Sequence, residues 1–160
     1  MSKVVQINVK PNVLGEHGLP KKSVEYVFVS KMGLDGDYNN YRTDTKNRDP
    51  DMAVLLYPKE TIDELNKEGW PIQKGDVGEN FTITEIPHSH FSFGQQFHLG
   101  ECILEITIEC DPCHYLAILP YVGEEKINDF IKTMMHRRGW YAKVIKEGRV
   151  SKGDSILQII

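Results

Sequence analysis

Residues 104–109, Leu104-Glu105-Ile106-Thr107-Ile108-Glu109, alternate strictly between aliphatic and polar side chains. Successive side chains of an extended backbone point to opposite faces. This hexapeptide therefore predicts a strand with Leu104, Ile106 and Ile108 in a core and its polar residues in water. Outward from it, Val4–Val9 alternates in the same way, and Val24–Val29 (VEYVFV) is rich in β-branched and aromatic residues. Ala53–Tyr57 is a short apolar run before Pro58, and Phe81–Ile83, Ala142–Ile145 and Ser155–Ile160 complete the set. Glycine turns lead into several of these strands: Lys74-Gly75-Asp76, Leu99-Gly100-Glu101 and Lys152-Gly153-Asp154. Short strands entered through such turns predict a mostly β (α+β) fold, a closed β-barrel with two or more peripheral helices, over a doubly wound sheet.

Two segments carry a helical period. Thr61, followed by Glu64, reads as an N-cap with a capping box, Ile62 and Leu65 supply an inner face, and Gly69 is the stop. Ile127, Phe130, Ile131, Met134 and Met135 fall on one stripe of a 3.6-residue period. Glu124 and Glu125 suit the positive end of that helix dipole and His136, Arg137 and Arg138 the negative end, with Gly139 as the left-handed stop. Residues 37–51 (DYNNYRTDTKNRDPD) have no period and predict a long loop, a form that in compact domains is commonly functional or disordered.

Composition narrows the function. The chain has 160 residues, 40% hydrophobic and 26% charged, which suits one packed domain over residues 1–160. A net charge of -4 disfavours general nucleic-acid binding but leaves room for a local basic pocket. No apolar run approaches the ~20 residues of a membrane span, and the start of the chain alternates like a strand, unlike a secretion signal. Three cysteines, an odd number, argue against a secreted disulfide framework. A cytoplasmic location is expected.

Cys110-Asp111-Pro112-Cys113-His114 follows the alternating strand directly. Pro112 cannot donate to a ladder, so the strand ends there and Cys113 is the first reactive side chain beyond it. A thiol with a reference pKa of ~8.5 needs help to be nucleophilic or to ligate a soft metal; Asp111 opposes that, while His114, Arg137 or Arg138 would favour it if close. Ordinary buried cysteines are the alternative. Zinc would need further ligands, for which His88 and His90 are the candidates, and dithiol redox chemistry would want a helix after the pair. The turn Gly75–Asn80 (GDVGEN) can cradle an anion on backbone N–H groups with help from Asn80, or Gly78 serves turn geometry alone. Gly33–Asp37 (GLDGD) is a similar nest without the spacing of a calcium loop. Arg137-Arg138-Gly139-Trp140-Tyr141 sets two guanidinium groups beside two aromatic rings, suited to phosphate or carboxylate, or to the helix dipole alone.

The ordered series Gly33–Asp37, Asp51–Tyr57, Gly75–Phe81, Leu99-Gly100, Pro112-Cys113, Arg138–Val144 and Lys152–Asp154 resembles the MOSC domain, the module named after the C-terminal part of molybdenum-cofactor sulfurases. The resemblance implies the β-barrel and equates Cys113 with the family cysteine. That residue either ligates molybdenum in molybdopterin, in relatives that reduce N-hydroxylated compounds, or carries sulfur as a persulfide. It implies a phosphate-bearing pterin, or another small anionic ligand, met by Arg138, Asn80 and the Gly78 turn; Arg48 is added on charge alone. Many members carry His-His-Gly-Gly where this chain has Asn47-Arg48-Asp49-Pro50. Electrons would come from a separate donor protein. Pyridoxal phosphate would enter only through a partner cysteine desulfurase.

Overall fold

The computed structural model describes residues 1–39 and 41–160; Asn40, inside the expected 37–51 loop, lies outside the described residues. Eight strands form the larger sheet. In chain order they are β1 (Val4–Val9), β2 (Lys22–Val24), β5 (Val54–Pro58), β6 (Phe81–Ile83), β7 (Gln96–Leu99), β8 (Cys102–Glu109), β9 (Trp140–Lys146) and β11 (Ile156–Gln158). They lie in the order β11-β7-β8-β9-β5-β6-β1-β2. A second sheet, β10-β3-β4, contains β3 (Tyr26–Ser30), β4 (Gly33–Leu34) and β10 (Gly148–Ser151). The mostly β expectation holds; closure into a barrel is not shown, since among the described residues neither sheet is joined end to end by a continuous ladder. One isolated bridge, Lys3 with Ser155, brings the far edge back to the start of β1, and hydrogen bonds from Val4 N to Asp154 O and Gly153 N to Val4 O flank it.

β5 shows why the apolar run at 53–57 matters. It pairs parallel with β6 and antiparallel with β9, and all five of its residues are buried. Val54 and Leu56 join the main core with Phe81, Phe97, Leu104 and Ile106. Tyr57 faces a second core under the helices, with Leu65, Leu116 and Phe130, and Leu55 packs with Met52, Cys110 and Tyr141. Each large side chain so buried contributes about 1.5–3 kcal/mol.

The alternation at 104–109 is only partly kept. Leu104 and Ile106 are fully buried, but the register shifts against β9 between Ile106 and Glu109, leaving Ile108 45% exposed. Thr107 turns inward and donates its hydroxyl hydrogen to Asp51 O. An irregularity of this kind lets two successive residues exchange faces.

The helices are α1 (Lys59–Lys67) and α2 (Gly123–Met134). α1 leaves β5 directly, with Pro58 in the cap position and no side-chain cap, so Thr61 is a buried residue of the first turn and not the N-cap. Gly69 does close it in the left-handed region, with Trp70 N reaching back to Leu65 O. α2 buries Ile127, Phe130 and Met134 and carries Glu124 and Glu125 in its first turn. It ends before the predicted stop: Met135 is exposed and His136 takes the left-handed φ of +60°. Gly139 has another task. A Cβ there would lie 2.6 Å from Leu56 O, so only a glycine lets the chain pass so close to β5. Of the expected loop, Tyr41–Thr45 forms a wide helical turn and Pro50–Met52 a 3-10 turn capped by the Asp49 side chain on Asp51 N.

Candidate functional site: a thiol beside a buried guanidinium

β8 and the entry to β9 bring the site together. Cys110 N donates to Gly139 O at 2.9 Å, which ties the end of β8 to the residue after Arg138. Cys110 is 5% exposed and packs with Tyr141, whereas Cys113, at the start of the His114–Ile118 turn, is exposed. Burial raises the Cys110 thiol, against the pull of Arg138. The two sulfurs thus differ in access, as the proline between them suggested.

Arg138 carries the site's charge. It is 8% exposed, and its Nε and Nη1 are shut away from solvent with no hydrogen-bond partner among the described residues. Burial opposes its charge, yet the thiols of Cys110 and Cys113 and the phenols of Tyr141 and Tyr57 outweigh this, so its pKa is raised. A buried guanidinium with two unpartnered donors is able to take an anion as partner. Gly78 lets Leu19 pack against the turn near it: a Cβ at that position would sit 2.8 Å from Leu19 Cδ2, and 3.9 Å from both Arg138 Nη2 and Lys21 Cε.

Glu79, next in the turn, is wholly buried. Its Oε1 accepts from Gly75 N at 2.6 Å and from Thr82 Oγ1 at 2.9 Å, and its Oε2 is unpartnered among the described residues. Burial raises its pKa, with Arg138 pulling the other way.

Asn80, expected to meet ligand, is bound within the protein. Its Oδ1 accepts from Leu55 N at 3.0 Å and its Nδ2 donates to Asp37 Oδ2 at 2.9 Å. Asp37 in turn holds Lys21 at 2.7 Å and accepts from Lys10 N at 2.9 Å. Asn80 therefore sets the Lys21–Asp37 pair in place. Arg48 is exposed with φ +58°, and its backbone N donates to Arg42 O at 2.9 Å.

Arg42 and Lys21 are the residues that sequence reasoning missed. Arg42 lies in a run with no period, yet it is 7% exposed, its Nε donates to Asp49 O at 2.9 Å, and its Nη2 has no partner among the described residues. Lys21, 7% exposed, offered no signal beyond a charge before a strand.

Other expected partners lie elsewhere. His114 faces Glu124 at 2.9 Å. Arg137 is held by Glu68 through Nη1 and Nη2, both at 2.9 Å. His88 and His90 sit on a 3-10 turn, not a strand; His88 Nε2 accepts from Gly139 N at 3.1 Å and His90 Nε2 contacts Gln158 at 2.6 Å. Among the described residues no group of three or more His, Cys, Asp and Glu is placed to hold a metal ion, so the zinc alternative has no ligand set.

A mostly β fold thus places an exposed cysteine near a buried arginine whose Nε and Nη1 have no partner among the described residues. The MOSC domain family matches residues 42–157, and the chain belongs to that family. It is 29% identical over 110 residues to the uncharacterized protein YflK of Bacillus subtilis (strain 168), covering 67% of this chain and 48% of YflK. It is 24% identical over 140 residues to protein YiiM of Escherichia coli (strain K12), covering 84% of this chain and 59% of YiiM. The chain thus spans about half the length of these curated relatives. The crystal structure of YiiM from Geobacillus stearothermophilus superposes with a TM-score of 0.74 at 23% identity, over 100% of this chain and 76% of that one, a likeness of fold. No helix among the described residues is long and apolar enough to cross a membrane.

Proposed function

We propose that this protein is a single cytoplasmic MOSC-like domain that binds a molybdenum cofactor, with Cys113 as the sulfur ligand of the metal. In this reading it reduces N-hydroxylated or related substrates with electrons from a separate donor protein. The carrying observation is the pairing of an accessible Cys113 with the two solvent-starved nitrogens of Arg138. The residues fit such a group: a soft thiol for the metal and a buried guanidinium with unpartnered donors for the pterin's anionic end. When bound, the cofactor supplies two-electron redox chemistry. Everything else falls to the chain. Arg138 would hold the anion, the Lys21–Asp37 pair fixed by Asn80 would add a polar wall without net charge, and Arg48 is a further, solvent-side cation. The thiol must lose its proton to bind a soft metal.

Metal analysis of protein from a cofactor-competent host tests the reading. Near-stoichiometric molybdenum is expected in the parent and its loss in Cys113→Ala; undiminished molybdenum in that variant removes Cys113 as ligand. A second reading draws on the same exposure of Cys113 at the end of β8. In it the protein is a carrier that holds a persulfide delivered by a pyridoxal-phosphate-dependent cysteine desulfurase, with no turnover of its own. Mass spectrometry after incubation with such a desulfurase should then show one added sulfur on the Cys113 peptide, and an unmodified peptide counts against it.

A further inference from the structure

Between the start of α1, the His88–His90 turn and the end of α2 lies a cleft of about 340 Å3, in the range of small-ligand sites. Gly139 separates it from the thiol, donating its N–H to His88 on the cleft side and accepting from Cys110 N through its carbonyl. Two buried polar atoms of residues lining the cleft have no partner among the described residues. Trp140 Nε1 can only donate, and Glu60 Oε2 accepts. The other Glu60 oxygen, Oε1, already accepts from Glu85 N at 2.9 Å.

The charges around these atoms point one way. Glu60, Glu64 and Glu109 line the cleft against a single guanidinium, Arg137, which Glu68 already engages. His88 Nε2 accepts from Gly139 N, so the imidazole is neutral, and burial lowers its pKa in agreement. His136 is exposed and contacts Glu109 at 3.2 Å. Trp140 and Phe91 supply apolar surface.

We propose that this cleft binds a small organic ammonium ligand whose flat apolar body rests on Trp140 and Phe91. Its charged N–H group is held by Glu60 Oε2, and a neutral oxygen accepts from Trp140 Nε1. Three carboxylates against one engaged arginine discriminate against a ligand carboxylate. The proposal does not rest on the molybdenum reading, since neither Cys113 nor Arg138 lines this cleft.

Phenylalaninamide, which carries an ammonium, an amide oxygen and a phenyl ring, is a suitable probe. The full chain has two tryptophans, so Trp140→Phe assigns the Trp140 indole N–H resonance. Titration of 15N-labelled protein should shift that resonance saturably with Kd of about 1 mM or tighter, while phenylacetate leaves it in place. Glu60→Gln, which keeps an oxygen for Glu85 N, should weaken binding about tenfold, and Cys113→Ala should leave it unchanged. Absence of a shift at about 10 mM probe, an equal shift with phenylacetate, or parent-like binding by Glu60→Gln overturns the proposal. If Glu60→Gln fails to fold, Trp140→Phe read through the Gly139 amide decides: about tenfold weaker binding supports the site and unchanged binding refutes it.

Discussion

Arg137 and Arg138 are consecutive residues in opposite circumstances. Arg137 lies at the surface cleft, gripped by Glu68 at 2.9 Å through both terminal nitrogens, with Glu64 3.7 Å away. Arg138 enters the interior, where among the described residues no carboxylate pairs with it and two nitrogens have no partner. One step in sequence, in the turn that leads into β9, separates a charge paired at the surface from one buried with unpartnered donors.

Gly139→Ala tests the junction that separates the two regions. The added methyl meets Leu56 O at 2.6 Å, at a φ of +103°, and unfolding in urea should show a loss of about 3–4 kcal/mol. Gly123→Ala, also at positive φ but with open space around it, should lose only about 1 kcal/mol. Equal losses would mean that backbone strain alone explains Gly139.

Arg138→Met sharpens the contrast by moving stability and binding in opposite directions. Removing two dry donors should raise the unfolding free energy of the ligand-free protein by about 1–3 kcal/mol while abolishing retained molybdenum. A variant that is destabilised instead would show that Arg138 is a structural residue like its neighbour.

The two regions should also titrate in opposite senses. Glu79, near Arg138, ionises around 4.5 when unfolded and higher when buried. The native state therefore holds a proton that the unfolded chain has lost. The stability it contributes is full below 4.5 and falls as pH rises toward the native value. Glu79→Gln should flatten that decline. His88, at the cleft, has a native pKa lowered from 6.5 by burial, so its contribution is full above 6.5 and falls as pH drops below it. His88→Gln should flatten the acid limb. Unfolding midpoints across pH check both.

The smallest effect belongs to the surface pair. Arg137→Ala should cause a slight loss of stability that shrinks as salt is added, measured by thermal unfolding at low and high ionic strength. Loss of molybdenum from this variant would break the division between the two arginines.

Most strands were legible as alternating or short apolar runs, as at Phe81–Ile83, where prediction and structure coincide and all three residues are buried. Ile108 escaped because a register shift is set by the partner strand, which the local pattern does not contain. The end of α2 escaped for a related reason: His136 accepts a left-handed conformation, and Gly139 is required by β5, far away in sequence. At the site, Pro112 marked Cys113 as the accessible sulfur. Arg42, Lys21 and the internal use of Asn80 are products of tertiary packing around the Asp37 carboxylate and the Asp49 carbonyl.

The unequal burial of the three cysteines makes the chain a ready substrate for selective labelling. Cys102 donates to Gly148 O from the core and its thiol is pushed up to about 11, and Cys110 is likewise buried and raised. A maleimide dye or spin label applied briefly to the folded protein near neutral pH should therefore attach at Cys113 alone, giving a reporter at the rim of the sheet without any engineered cysteine.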